Sequence, residues 1–288
     1  MSRFAGVSLF LAGVLLAGVA RGEPPVWVVH GRHGQVVLFG SVHLLPRGVD
    51  WKPAALRQAL AKADDLWFEL PVNQATDETA LRLAAARARL PATDSLWAYL
   101  TAAQRARVEQ AAIAVGLPPT MLPPLRPWMA DLTLSLAADA RTGAEATAGV
   151  EVQLQAETPL RARRHALERV GQQIDFLAGG SSADQVASLD ETAREITEDP
   201  NIYDRTVAEW LSGDLAGLEK DNLTPLKTAA PDTYRRLIAD RNRRWARVLA
   251  RLVNNGRLAV VVVGAGHLVG PEGVPALLRA RGLRVEGP

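Results

Sequence analysis

The sequence predicts an α/β fold whose sheet is built from the N- and C-terminal segments, with a large helical insertion between them. Short β-rich runs occur near both ends of the 288-residue chain, and residues 258–263 form a continuous apolar run typical of a strand buried on both faces. The segment between the two ends has an almost wholly helical periodicity. We therefore expect a single domain over residues 24–288, with core segments 24–72 and 256–288 and an insertion at 73–255.

The first twenty residues have the layout of a secretory signal peptide. A positive start at Arg3 precedes an uncharged apolar run over residues 4–20, which closes on small residues. That run is shorter than the ~20 residues a membrane span usually needs. We expect cleavage near Ala20 rather than an uncleaved anchor, and a periplasmic or secreted mature chain with no stable membrane span.

The mature chain opens with two β-rich runs, residues 26–29 and 35–39, which are separated by a glycine-containing turn. This arrangement predicts a hairpin. A helix follows, with Leu56 and Leu60 on one face, and residues 65–70 then have the composition of a strand. A strand, a helix and a strand in this order predict a βαβ unit, in which the two strands run parallel.

The insertion contains a series of helical segments and proline- or glycine-rich loops. The predicted helices cover residues 77–90, 95–115, 125–144, 152–178, 182–211 and 231–254. Proline pairs at residues 118–119 and 123–124 and a glycine-serine run at 179–182 mark loops. After the apolar run near the C-terminus we expect a short helix beyond Pro271 and a last strand at residues 283–285.

Composition excludes several functional classes. Lys and Arg number 33 against 31 Asp and Glu, and no basic face is visible, so we expect no nucleic-acid partner. The chain has no cysteine, which excludes disulfides, a thiolate zinc site and a cysteine nucleophile. The Gly-x-Ser-x-Gly elbow, the His-Glu-x-x-His motif and the phosphate-binding glycine loops are also absent from the sequence.

Gly-x-x-His occurs twice, at residues 40–43 and 264–267, each time where an apolar strand ends. Glu69 lies at the end of a third strand. Because ligands bind at the C-terminal ends of parallel strands, His43 and Glu69 should share one edge of the sheet, and His267 joins them if its strand is parallel. Two imidazoles and a carboxylate form a common ligand set for a catalytic divalent metal with an open water position.

The same residues also have purely structural interpretations. Each histidine could be a packed or capping side chain, and Glu69 could be a salt-bridge partner. Of the other histidines, His30 and His33 lie in the hairpin turn, where we expect solvation. His165 lies in an arginine-rich stretch that is predicted to be helical and solvated.

Four motifs resemble the TraB/GumN family, which is related to the TIKI metalloproteases. They are Gly-Ser-Val-His-Leu-Leu-Pro at 40–46, Trp-Phe-Glu-Leu at 67–70, Arg-Asn-Arg-Arg-Trp at 241–245 and Val-Gly-Ala-Gly-His-Leu-Val-Gly at 263–270. Their order and spacing fit over nearly the whole mature chain. The resemblance implies an α/β core with a helical insertion. It also implies a divalent-metal site, for Mn, Co or Zn, formed by His43, His267 and Glu69.

The resemblance implies further site residues. Arg241 and Asn242 match a recurrent Arg-Asn pair, which we expect to orient groups in the site or to bind a substrate carboxylate. Glu151 stands where many relatives have the aspartate of a Gly-x-Asp motif, and its side chain is one carbon longer. A family stretch of Leu-Glu followed by Gln is matched at Glu168, Gln172 and Gln173. Helical spacing would place the first two of these on one face, lining the cleft.

The leading hypothesis from the sequence is an exported metal-dependent hydrolase, a peptidase acting through metal-activated water on a peptide or small-molecule substrate. Glu69 would be either the third ligand or the general base. An esterase is a third hypothesis. The alternative to an enzyme is a non-catalytic envelope protein that binds metal or haem or assists polysaccharide export. Haem would need an axial His or Tyr in an apolar pocket, and the only tyrosines are Tyr99, Tyr203 and Tyr234.

Overall fold

The computed structural model describes residues 22–288, so the predicted signal peptide at residues 1–20 lies outside the described residues. The strands are β1 (Val26–His30), β2 (Gln35–Ser41), β3 (Asp65–Phe68), β4 (Arg163–Ala166), β5 (Leu258–Gly264) and β6 (Arg284–Glu286). They form one mixed sheet in the order β4-β3-β5-β2-β1-β6. The α/β class predicted from the sequence is therefore confirmed.

The predicted hairpin and parallel strands are also confirmed. Strands β1 and β2 pair antiparallel, with Val26 opposite Phe39. Strands β2 and β3 both run parallel to β5, which lies between them rather than at one side. The apolar run of β5 thus occupies the centre of the sheet, where both faces of a strand are covered.

Strand β4 corrects the helix that was predicted over residues 152–178. Residues 163–166 leave the helical path and pair parallel to β3, with Arg163 opposite Asp65 and His165 opposite Trp67. The cause is tertiary: Asp65 is buried, and a strand here brings Arg163 and His165 to its carboxylate. The insertion therefore contributes one edge strand to a sheet otherwise built from the two ends of the chain.

Helices make up most of the remaining chain. The first eight along the chain are α1 (Ala54–Lys62), α2 (Gln74–Ala88), α3 (Ala102–Ala114), α4 (Pro127–Arg141), α5 (Val150–Glu157), α6 (Val170–Ala178), α7 (Ser182–Glu198) and α8 (Ile202–Ser212). They are followed by α9 (Leu215–Leu218), α10 (Thr224–Ala229), α11 (Pro231–Tyr234), α12 (Asp240–Leu252) and α13 (Val274–Arg279). The pieces α9 and α10 lie in a stretch where the sequence analysis predicted no helix. Within residues 22–288, none of these helices is long and apolar enough to cross a membrane.

The sheet is covered on both faces, and the alternation along β5 shows how. Val260 and Val262 point into a cluster that includes Leu56 of α1 and Trp210 of α8. Val261 and Val263 point the other way, into a cluster with Trp245 of α12 and Leu278 of α13. A third cluster holds helices α3, α4 and α7 of the insertion together. The layers leave the C-terminal ends of the parallel strands facing the insertion.

Candidate functional site

The pairing register brings the strand ends of the two Gly-x-x-His motifs side by side. Ser41, at the end of β2, is opposite Gly264, at the end of β5. A Cβ atom on Gly40 would stand 3.0 Å from the Cα of Ala265, so glycine is what allows the two motif backbones to approach this closely. The Nε1–H of Trp210 donates to the Gly40 carbonyl over 2.9 Å and fixes α8 against the first motif.

The three predicted metal ligands converge on one point beside Gly264. A Cβ atom built on this glycine would lie 3.4 Å from Glu69 Oε1, 3.6 Å from His267 Cδ2 and 3.7 Å from His43 Nε2. The structure thus brings together the side chains that the sequence placed at three separate strand ends. Gly264 leaves the space between them open.

His43 is oriented by Glu151. Its Nδ1 lies 2.7 Å from Glu151 Oε1, and the hydroxyl of Ser41 donates to the same oxygen. The negative charge of Glu151 and its hydrogen bond with His43 raise the pKa of His43 to about 9, although desolvation of the imidazole acts in the opposite direction. The imidazole is 64% exposed, so solvent screens part of this attraction. With Nδ1 committed to Glu151, the other ring nitrogen, Nε2, faces the shared point.

His267 is buried and is oriented by Asn242 through the same ring atom. Asn242 donates from Nδ2 to the Glu272 carbonyl over 2.8 Å, so its Oδ1 faces Nδ1 of His267 at 2.6 Å. His267 is therefore protonated on Nδ1 and has a lone pair on Nε2. Burial lowers the pKa of His267 to about 3, with Glu69 opposing this shift and Arg241 and His43 adding to it.

Arg241 lies between the two acidic residues of the site. Its guanidinium donates to Glu69 Oε2, and to both oxygens of the buried Glu168 over 2.9 to 3.1 Å. A further N–H points at Nε2 of His267 over 3.1 Å. A π-helical turn at Arg235–Ala239 directly precedes α12, which begins at Asp240 and presents Arg241 and Asn242 together. Arg241 is thus fully engaged within the protein.

Glu69 is an ionised carboxylate with a donor on each oxygen. The Gly264 N–H donates to Oε1 over 2.8 Å, and Gln173 donates to Oε2 over 3.1 Å. Burial alone would raise the pKa of Glu69, but the positive charges of Arg241 and His43 hold it low, at about 2. A carboxyl group with so low a pKa is a weak base.

The stretch that resembles the family's Leu-Glu then Gln pattern is only partly in the site. Gln173 lines the cavity beside Glu69. Glu168 precedes α6 rather than lying on it. Its buried carboxylate accepts hydrogen bonds from Arg241 and, over 3.1 Å, from Nε1 of Trp245. Gln172 is exposed outside the cavity, and its Oε1 accepts the Arg169 N–H at the start of α6. The expected shared helix face of Glu168 and Gln172 is therefore wrong.

The remaining histidines do not join the site. His33 is exposed in the hairpin turn, as expected. His165 lies on β4, not on a solvated helix: its ring stacks on Trp67 with centroids 4.4 Å apart, and its Nε2 is 2.8 Å from Asp65 Oδ1. Asp65 is at the opposite end of β3 from Glu69, so this pair is remote from the candidate site.

A cavity of about 640 Å³ opens from the three converging residues into the insertion. Its walls include Tyr203, considered above only as a haem ligand, and two carboxylates that sequence reasoning missed, Asp139 and Glu195. These lie on the long helices α4, α7 and α8, where a polar residue has no local signal that separates a cavity face from a solvated one. Ser41 could have been found, because it belongs to the first Gly-x-x-His motif.

The donor set fits a divalent cation in its chemistry. Both imidazoles have an oxygen acceptor at Nδ1, which is the usual way a protein fixes a histidine that binds metal through Nε2. Over residues 22–288, however, no group of three His, Asp or Glu side chains is arranged as a metal-binding cluster. In addition, an Arg241 N–H lies 3.1 Å from Nε2 of His267 and takes the lone pair that a cation would need.

Comparison with known proteins places the chain in a family. The model of the TraB/PrgY/gumN family matches residues 25–287, which is nearly all of the described chain. Neither the curated proteins nor the solved structures contain a significant match to this sequence.

Proposed function

The chain belongs to the TraB/PrgY/gumN family, and from this premise we propose that it is an exported, metal-dependent hydrolase that cleaves peptide or related amide bonds. The observation that carries the proposal is the convergence of His43, Glu69 and His267 within 3.7 Å of one point at the edge of a large cavity. The signal-like residues 1–20 support export.

His43 and His267 would hold the metal through Nε2, with the Arg241 N–H displaced from Nε2 of His267, and Glu69 would complete the set through Oε1. Of the two roles open to Glu69, the ligand is better supported, because a carboxyl group with a pKa of about 2 does not readily take a proton at neutral pH. A divalent cation supplies Lewis acidity to an amide carbonyl and to water.

The protein's own groups perform the positioning. Asn242 keeps His267 in the tautomer that presents Nε2, and Glu151 keeps the His43 ring directed at the same point. Glu151 also favours a proton on His43, and that proton must leave before Nε2 can bind a cation. Arg241 is paired with Glu69 and Glu168, which supports an orienting role over capture of a substrate carboxylate.

Metal titration of the purified protein, with elemental analysis, tests the proposal. We expect about one divalent ion per chain in the wild type and none in His43→Ala or His267→Ala. His33→Ala is the matched control, because this histidine is exposed in the hairpin turn. A peptide-library screen with Mn, Co and Zn, repeated after chelation, then tests for hydrolysis. A wild type that binds no metal, or one that binds it but cleaves nothing, contradicts the proposal.

The haem version of the non-catalytic alternative has less support. Tyr203 lines the cavity, but its hydroxyl donates to the Leu44 carbonyl over 2.9 Å. Burial raises the pKa of Tyr203 to about 12, which disfavours the phenolate needed for an iron ligand. A Soret band on addition of haem to the wild type would restore that alternative.

A further inference from the structure

The cavity extends well beyond the candidate metal ligands, and its far walls are mainly apolar. Helices α6 and α8 and the turn before α12 contribute Phe176, Leu177, Ile202, Val207 and Leu237. At about 640 Å³ the space is large enough for a ligand much bigger than a water or a metal ion. Apolar walls of this extent stabilise a ligand with an apolar body.

Two carboxylates interrupt these apolar walls, Asp139 on α4 and Glu195 on α7. Among the described residues, neither side chain has an ion-pair partner or a side-chain hydrogen bond. Elsewhere in the same helices, the half-buried carboxylate of Asp131 accepts hydrogen bonds from Ser188 and Thr192. Asp139 and Glu195 thus differ from Asp131, because no other side chain among the described residues hydrogen-bonds to their carboxylates.

The protein's own cations that line the cavity over the described residues are already paired with other carboxylates. His43 is paired with Glu151, and Arg241 with Glu69 and Glu168. Burial raises the pKa of Asp139 to about 6, with His43 opposing the shift. Burial, with Glu191 adding to it, raises the pKa of Glu195 to about 7. At both positions burial therefore disfavours the ionised form.

We propose that the cavity binds peptides that combine an apolar body with a primary ammonium group, and that Asp139 and Glu195 receive this group while the amide bond lies at the candidate metal site. This specificity rests on the proposed hydrolase function. The ammonium could be the α-amino group of the peptide or a lysine side chain, since the two share the same chemistry.

Peptide binding, measured by calorimetry with chelator present, tests this proposal without any metal or turnover. The three probes are leucyl-leucinamide, its N-acetyl derivative, and N-acetyl-leucyl-lysinamide. We expect either or both of the ammonium-bearing peptides to bind about tenfold tighter than the neutral one, because hydrogen bonds to charged groups are the stronger ones. Which of the two does so identifies the α-amino or the lysine source.

Asp139→Asn and Glu195→Gln should each remove most of this preference. The matched control is Glu198→Gln, one turn further along α7, where the carboxylate is exposed and paired with Arg194. Both test positions are partly exposed, so the isosteric amides should fold, and circular dichroism checks this. Equal affinity for all three peptides, no binding of any of them, or an unchanged preference in both variants overturns the proposal.

The result is independent of the hydrolase test. An ammonium preference in a protein that binds no metal would contradict the proposed function alone. One metal ion per chain with no ammonium preference would contradict the specificity alone.

Discussion

Strand β3 has a buried carboxylate at each end, and only one of the two borders the large cavity. Asp65, at the start, contacts Arg163, Arg257 and His165 over 2.6 to 2.9 Å. Glu69, just past the end, likewise has an arginine and histidines as neighbours. Both carboxyl groups have a pKa held at about 2. Residue types and charge alone therefore do not separate a structural site from a candidate functional one.

The difference lies in what surrounds each carboxylate. The side-chain contacts of Asp65 connect β3 to β4 and to the residue before β5. Asp65 does not line the cavity that contains the candidate ligands. Glu69 instead borders the open space beside Gly264, which leads into the large cavity. A buried ion pair without adjoining space can only stabilise or specify the fold. One that borders a cavity can also meet a ligand.

The largest expected effect is the difference in metal affinity between variants at the two ends of β3. Glu69→Gln should weaken divalent-metal binding more than about 100-fold, since it removes a charged ligand, whereas losing a supporting residue typically costs 10–100-fold. Asp65→Asn should leave metal affinity unchanged. Calorimetric titration of both variants with Mn and Zn measures this. Equal loss in the two variants would mean that Glu69 acts only through the fold.

Asn242→Ala should weaken metal binding about tenfold or somewhat more, because His267 loses the acceptor that holds its Nδ1–H. Asn222→Ala is the control, as this residue also borders the cavity but hydrogen-bonds to Thr206 and the Leu218 carbonyl instead. Metal titration of the two variants gives the comparison. An Asn242→Ala protein with wild-type affinity would show that the orientation of His267 does not depend on this contact.

Gly264→Ala should weaken metal binding about tenfold while changing stability little. Its φ of −50° and ψ of 136° suit alanine, and the added methyl would meet its neighbours at 3.4 to 3.7 Å, which is ordinary contact distance. That methyl would, however, stand in the space between the three ligands that a cation would occupy, so the loss falls on metal affinity rather than on stability.

The control for this substitution is Gly171→Ala, because a Cβ atom there would have no neighbour within 4 Å. Metal titration and urea unfolding are measured on both variants. If Gly264→Ala unfolds more easily and keeps its metal, the space beside Gly264 is needed for packing rather than for a ligand.

Much of this architecture could be predicted from the sequence, and the part that could depends on local signals. The hairpin, the parallel direction of β2 and β3 and the meeting of His43 and Glu69 followed from strand ends and the βαβ rule. The place of His267 depended on the direction of β5, which the sequence left open and which is parallel. Period and composition define such strands without reference to the rest of the chain.

Strand β4 could not be predicted in this way. Its sequence, Arg-Arg-His-Ala, has no β-rich or alternating apolar pattern, and it becomes a strand because β3 offers an unpaired edge and Asp65 a buried charge. The carboxylates of the cavity wall were missed for a related reason. Asp139 and Glu195 are separated from the ligands by many residues and reach the cavity only through the packing of α4 and α7. Contacts of this kind depend on tertiary structure.

The smallest effect concerns the other end of β3 and the pH dependence of stability. Burial opposes ionisation of Asp65, but hydrogen bonds from Arg163, Arg257 and His165 lower its pKa from 3.8 to about 2. A carboxyl group whose pKa is lower in the folded state stabilises the fold above its unfolded pKa, and this stabilisation is lost as the pH falls through the folded value. Between pH 5 and pH 3 the loss from Asp65 amounts to about 1 kcal/mol.

Asp65→Asn should therefore flatten the fall in the free energy of unfolding between pH 5 and pH 3 by about 1 kcal/mol. At pH 7 the variant should be less stable by about 2 kcal/mol, below the usual cost of breaking a buried pair, because Arg163 and Arg257 are exposed enough to be resolvated. Urea unfolding at several pH values measures both quantities, with Asp77→Asn on the exposed face of α2 as the control. If the variant has the same pH profile as the wild type, Asp65 is not held ionised by its three partners, and the likeness between the two ends of β3 is only one of composition.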